Sequence, residues 1–252
     1  MSIVFDHGQG RLAARLTPWD ERALGFATAE VTALEIASVD QATALLAELE
    51  QWCAGQSVRY LFGRIDAMHA VAKAALLQQG YQFVETSLTV SRSGFANLPA
   101  VPRGMLPTLR PATAADVPEL RRIAATDFAH GRFLEDPAID PARAAQRTAN
   151  WIEDLVSGGL AQVAESRGRT IGFHAERVDV AQRSAELLLT GATAPYAMLA
   201  VPLWITALEA LAARDIQQCT TLVSAANTGI INLYARLGFH FNSTLFGFRK
   251  FL

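Results

Sequence analysis

"NTGIINLYARLGFHFNSTLFGFRKF", residues 227–251, decides the fold of this chain. It reads as a polar cap at Asn227, a short helix, a stop at Gly238-Phe239 and an alternating strand. An earlier stretch, "DAMHAVAKAALLQQGYQFVETSLTVSR", residues 66–92, repeats that grammar around Gly80-Tyr81. Four residues before the glycine stands Tyr234 in the later copy and Leu76 in the earlier one.

Working outward from residue 227 gives a complete second half. "TLRPATAADVPELRRIAATDF" predicts a strand, a capping Thr113 or Asp116, and a helix with Val117, Leu120 and Ile123 turned inward. A polar loop and a second helix come next. "LAQVAESRGRTIGFHAERVDVAQRSAELLLTGAT" then predicts three antiparallel strands. "LAVPLWITALEALAARD" is an amphipathic helix and "QQCTTLVSA" a strand, so the order is β-α-α-β-β-β-α-β-α-β.

The first half is shorter. "GRLAARLTPWDERALGFATAEVTALEI" predicts two strands around a turn. Ala42, Leu45, Leu46, Leu49 and Trp52 then recur at helical spacing up to Gly55. "SVRYLFGRI" is a short strand, and Asp66 is placed to cap the helix that stops at Gly80. The Pro- and Gly-rich run that opens with "SGFANLPAVPRG" reads as a linker. The expected division is a partial unit over 1–92, a linker over 93–107 and a complete domain over 108–252.

Bulk properties narrow the function. The 252 residues suit one large domain or two smaller ones, and 51% hydrophobic content supplies a core. A net charge of −2 argues against nucleic acid as a partner. Cys53 and Cys219 have no zinc spacing and read as packed thiols; no metal is expected. No signal pattern opens the chain, and the apolar stretch "TAPYAMLAVPLWITALEAL" contains prolines. The expectation is a cytoplasmic protein that does not engage a membrane. Sheet edges make a homodimer plausible.

The element order, "LRPATAADVPELRRIA" at its start and the Asn227, Tyr234, Gly238, Phe239 phrase near its end resemble the GCN5-related N-acetyltransferase (GNAT) superfamily. That resemblance implies an α+β fold with a mixed, mostly antiparallel central sheet flanked by helices. The N-terminal half looks like a truncated copy of it. The resemblance also implies acetyl-CoA as cosubstrate and a small-molecule amine as acceptor, which attacks the thioester directly. A narrower likeness is to the TDP-fucosamine acetyltransferases, which acetylate a nucleotide-linked amino sugar. It is carried by Arg132, Phe133, Trp151, Ile152 and Asp154.

Acyl transfer needs donors aimed at developing charge and an acid for the departing thiolate. The resemblance puts Tyr234 beside the coenzyme sulfur as that acid, and Asn227 against the pantetheine arm. It assigns the main-chain groups of Leu189 and Thr190 to the strand end that splays from its neighbour. His174 and Glu176 alternate on one strand and share a face, so they could relay a proton; a solvated strand face gives the same letters. His130, Arg132 and Phe133 fall in the loop expected on the substrate side. The pyrophosphate loop would be Met198, Leu199, Ala200 and Val201, where the family carries glycines and a preceding Arg or Gln. Here no basic residue precedes it, and Met198 crowds a position where glycine allows close approach. A non-catalytic scaffold with a decayed coenzyme site is the alternative, as is transfer of a larger acyl group.

Overall fold

The structure, a computed structural model, describes residues 1–7 and 10–252. Its internal contacts divide the chain into two units. Unit 1 comprises Met1–Leu88, Gly131–Arg147 and Ser243–Leu252, and unit 2 comprises Thr89–His130 and Thr148–Asn242. The division is not linear: a loop and a C-terminal strand from beyond the expected linker belong with the first unit. Within that linker only Arg103–Met105 forms a regular turn.

Unit 1 contains β1 (Ser2–Asp6), β2 (Arg11–Leu16), α1 (Pro18–Leu24), β3 (Thr28–Glu35), α2 (Val39–Gly55), β4 (Tyr60–Asp66) and α3 (Ala70–Gln78). The start of β5 (Gln82–Ser93) and the end of β11 (His240–Phe251) complete it. Its strands run in the order β1-β2-β3-β4-β11. β3 and β4 are parallel across α2, as a crossover helix requires. β11 is antiparallel to β4, from Leu245 opposite Asp66 to Phe251 opposite Tyr60. Alternation along β4 buries its two faces separately. Leu61 and Ile65 meet Leu45, Leu49 and Leu76 of α2 and α3. Tyr60 and Phe62 meet Leu24, Phe133 and Ile139.

Unit 2 contains the end of β5, β6 (Thr108–Pro111), α4 (Val117–Thr126), most of α5 (Pro141–Ser157), β7 (Ala161–Ser166), β8 (Arg169–Asp179) and β9 (Ser184–Ala192). Then come α6 (Ala200–Ala213), β10 (Gln218–Ser224) and α7 (Thr228–Arg236). The strand order is β5-β10-β9-β8-β7-β6. Leu120, Ile123, Ile152 and Leu155 of α4 and α5 cover one face through Val163, Phe173 and Ala175. Leu203 of α6 covers the other at Ala164 and Ile171. The element order is the one expected.

The two copies close their helices identically. Gly80 (φ 79°) and Gly238 (φ 73°) take the left-handed conformation. Tyr81 N–H then donates to the Leu76 carbonyl at 2.9 Å, and Phe239 N–H to the Tyr234 carbonyl at 3.0 Å. This is the six-to-one bond of a Schellman cap. The strands beyond the two caps take different partners. β5 leaves α3, the last helix of unit 1, and stands beside β10 in unit 2. β11 leaves α7, the last helix of unit 2, and pairs with β4 in unit 1.

Local expectations are corrected at two points. β1 and α1 form where the sequence predicts no strand and only a turn; Pro18 at the helix start pre-sets φ for α1. His69, not Asp66, caps α3: its Nδ1 accepts from Ala72 N–H at 3.3 Å, while Asp66 Oδ1 accepts from Met68 N–H. β3 leads through a short turn into α2. That helix is closed by Ser38 Oγ, which accepts from Gln41 N–H, and by Gln41 Oε1, which accepts from Ala37 N–H.

Candidate acyl-transfer site

β9 and β10 pair in parallel only at Gln218–Ser184, Cys219–Ala185 and Thr220–Glu186. One residue further, Thr221 Oγ1 donates to the Leu187 carbonyl at 2.8 Å. The register between β8 and β9 then shifts: Glu176 faces Leu187 and Ala175 faces Leu189, so Leu188 is an extra, bulged residue. A bulge bends its strand and raises the local twist. Leu189, Thr190, Gly191 and Ala192 stay paired with β8, and among the described residues β10 pairs with none of them. Among the described residues β9 and β10 therefore part beyond Thr220, and Leu189 and Thr190 lie on the stretch of β9 that pairs with β8 alone.

Tyr234 lies where the strands part. Asn227 caps its helix, with Oδ1 accepting from Ile230 N–H at 3.2 Å. The tyrosine is 4% exposed, and the Thr221 side chain faces its phenol and works to lower its pKa. Its ring meets Trp204 edge-on at 5.1 Å and leans on Phe239 at 4.8 Å. Burial, the dominant influence, pushes the phenol above its ordinary pKa. At neutral pH the group is a proton donor. Its counterpart Leu76 is an apolar core residue with no such capacity.

A second polar chain lies on the α6 face of β8 and β9. His174 Nδ1 is 2.7 Å from Thr190 Oγ1, and His174 Nε2 is 3.0 Å from Glu176 Oε2. His174 is 0% and Glu176 4% exposed, whereas Thr190 is only part-buried. Glu176 Oε1 accepts from Gln162 Nε2 at 3.3 Å and from the Arg214 guanidinium. Burial works to raise the Glu176 pKa, but His174 and Arg214 together outweigh it and hold the carboxyl below its ordinary value. The carboxylate facing Nε2 fixes that nitrogen as the N–H. Nδ1 is then an acceptor, and Thr190 Oγ1–H donates to it. Trp204 stands edge-on between the two systems, 6.0 Å from His174 by ring centroids. Alternation along β8 pairs His174 with Glu176 from sequence alone; it misses the link to the Thr190 side chain, which depends on cross-strand register.

The segment expected to hold a pyrophosphate is built differently from an open amide ring. Thr193 N–H donates to the Ile171 carbonyl at 2.8 Å. A tight turn over Ala194–Leu199 runs straight into α6. The Ala200 N–H is taken by the Ala197 carbonyl. Pro202, in the first turn of α6, has no N–H to offer. Met198 is 78% exposed, and Leu199, Ala200 and Val201 are half-buried. With the Ala200 amide engaged and none at Pro202, this turn departs from a ring of bare amides.

Arg132 and Phe133 are engaged within unit 1. Arg132 pairs with Glu30 at 3.2 Å and lies 4.2 Å from the Phe62 ring centroid. Burial pushes its pKa down to about 10. Phe133 packs edge-on to Phe62 at 5.3 Å and belongs to the Tyr60–Ile139 core. Both side chains fasten their loop to β4 instead of standing open for a ligand. His130 is exposed.

Among the described residues no His, Cys, Asp and Glu group has the composition of a metal site. Cys53 and Cys219 are free and buried, their thiols pushed up to about 12 by burial. One helical stretch, Ala194–Ala213, is long and apolar enough to cross a membrane. In unit 2 its Leu203, Trp204, Leu208 and Leu211 are buried.

No family model and no curated protein matches this chain. Solved structures do. A GCN5-related N-acetyltransferase from Sphaerobacter thermophilus superposes with a TM-score of 0.63 at 15% identity, over 98% of this chain and 82% of that one. A tandem GNAT protein from the clavulanic acid biosynthesis pathway gives 0.61 at 14%, over 99% and 82%. A glucosamine N-acetyltransferase region of a fungal multi-domain β-N-acetylglucosaminidase gives 0.66 at 12%, over 95% of this chain and 31% of that one. The fold is GNAT. The GNAT likeness spans nearly the whole sequence, so both copies of the helix–glycine–strand phrase fall inside it.

Proposed function

We infer that the protein is an acyl-CoA-dependent N-acyltransferase, with an acetyl thioester as donor and a small amine as acceptor. The observation that supports this most is the placement of the buried Tyr234 phenol against Thr221, at the point where β9 and β10 part. It joins a buried, protonated phenol to a strand gap along which a pantetheine arm can lie against β9. The Leu188–Ala192 wall offers main-chain groups to the donor's amides and to the charge that develops on the carbonyl oxygen. Tyr234 donates its proton to the departing sulfur. An amino sugar is the acceptor class we favour, on the narrower sequence likeness and on the fungal relative in fold being named for glucosamine.

One observation favours a second reading. The engaged Ala200 amide and Pro202 leave little to hold a pyrophosphate, as in a scaffold whose coenzyme site has decayed. Calorimetric titration with acetyl-CoA and CoA separates the two. Saturable binding with CoA release on adding glucosamine supports the enzyme; no heat and no thermal shift at millimolar coenzyme overturns it.

A further inference from the structure

We propose that a cavity of unit 2, between the end of β5 and the last turn of α7, binds a small organic anion through Arg92 and Arg236. This site is separate from the acyl-transfer site and needs no part of it.

The cavity has a volume of about 390 Å³. Arg92, Ser93, Gly94 and Asn97 line one side, and Arg236 and Gly238 the other. Gly94 (φ 67°) and Asn97 (φ 58°) take left-handed backbone just past β5, a conformation that glycine and asparagine accept most readily. The turning chain brings two carbonyls back to Arg92. Its Nε donates to Gly94 at 2.9 Å and its Nη2 to Ala96 at 2.7 Å. Gly238 makes room for the third corner of the guanidinium, since a Cβ there would stand 2.8 Å from Nη1. The charged head therefore lies against the closing turn of α7.

The cavity is distinguished by its charge. Arg92 is 6% exposed, and among the described residues no carboxylate faces it. Its two partners are neutral carbonyls, and burial lowers its pKa. Buried charges are ordinarily paired, because desolvation penalises a lone one. More exposed arginines of unit 2 are paired: Arg110 with Asp116 and Glu165, Arg121 with Glu153, Arg214 with Glu176. Arg236, exposed on the opposite wall, has no ion pair among the described residues either, and no Asp or Glu lines the cavity. The negative end of α7 does not balance this charge. The carbonyls of Leu233, Tyr234 and Ala235 already accept from the N–H groups of Leu237, Phe239 and Gly238.

A carboxylate or a phosphate matches two guanidinium groups through charge-assisted hydrogen bonds. Ser93 and Asn97 offer a hydroxyl and an amide to the polar remainder of such a ligand. A purely structural Arg92, tying the chain after β5 to α7, explains the two carbonyl bonds. It does not explain why a second unpaired arginine shares the cavity. The site lies at the end of α7 opposite the Asn227 cap, so its ligand is not a thioester donor held at that cap.

The test is calorimetry and thermal shift on the full chain, without coenzyme and at fixed ionic strength. Succinate and glycerol 3-phosphate are the anions, and glycerol is the uncharged control. The expected result is saturable one-to-one binding of at least one anion with a raised Tm, and none with glycerol. Which anion binds more tightly identifies the group as carboxylate or phosphate. Arg236→Ala leaves the melt of the ligand-free protein unchanged and weakens binding roughly tenfold, the loss of a charge-assisted hydrogen bond. Arg92→Lys keeps the charge, loses the fork and also weakens it. No saturable heat from either anion at tens of millimolar overturns the site. Binding that survives both substitutions overturns it too, as does displacement of the anion by CoA. Because the titrations contain no acyl donor, their outcome is independent of whether the protein transfers acyl groups.

Discussion

Thr221 Oγ1 donates to the Leu187 carbonyl at 2.8 Å, one residue past the last β9–β10 pair. The same side chain faces the buried Tyr234 phenol and works to lower its pKa. Thr221→Val takes the donor from the Leu187 carbonyl and the polar group facing the buried phenol, and is expected to cost about 1–3 kcal/mol. Tyr234→Phe removes the hydroxyl itself and costs about 1 kcal/mol. The double variant then loses less than the sum of the two, because the second change removes the group that the first leaves unpaired. Urea denaturation of the three variants checks this.

Tyr234→Phe also separates binding from chemistry. The ring contacts with Trp204 and Phe239 survive the change. With the acid lost, kcat falls by roughly a hundredfold, the low end for general acid catalysis, while KM for the thioester moves little. Steady-state kinetics with saturating amine reads both.

The two Schellman glycines differ in what surrounds them. A Cβ at Gly80 meets open space, so Gly80→Ala costs only the left-handed backbone penalty, about 1–2 kcal/mol. A Cβ at Gly238 runs into the Arg92 guanidinium, which donates to the Gly94 and Ala96 carbonyls. Gly238→Ala is the more destabilising of the pair, by denaturant midpoint.

Acid should act on Glu176. Its folded-state pKa lies below 4.5, so its ionisation stabilises the fold above that pH. The contribution is lost as pH falls from about 4.5 through the folded value. Stability curves of the wild type and Glu176→Gln therefore converge on acidification through that window, while their separation is constant at higher pH. A separation independent of pH down to the acid limit excludes the carboxylate as its source.

The turn before α6 predicts an insensitive nucleotide end. With Ala200 N–H engaged and Pro202 lacking one, acetyl-pantetheine should be used within about tenfold of acetyl-CoA in kcat/KM, a difference of about 1.4 kcal/mol or less. A loss of several orders of magnitude on removing the nucleotide would show that it is held elsewhere.

Much of this fold is legible locally. Asn227, the 3.6-residue period and Gly238 mark α7 because cap, apolar face and stop all lie within a dozen residues. Tyr234 is found through the same phrase. The partner of β11 is not legible, because strand partners are chosen by distant registers. The Thr190–His174 link is hidden for the same reason. It exists only because the shift between Ala175 and Glu176 leaves Leu188 unmatched and brings Thr190 opposite His174. His69 is hard to recognise as a cap because Asp66 is the commoner choice, and Asp66 is instead occupied by the turn at Met68.

The pairing of β11 with β4 imposes a timetable on synthesis. When β4 leaves the ribosome its edge is bare, and it stays so until all of unit 2's sequence has been made, since Leu245–Phe251 come after α7. A nascent chain must carry that open edge through roughly 10–35 s of elongation, a period in which a neighbouring nascent chain could supply the missing strand. Its assembly is thus a race between a chain's own last strand and another's.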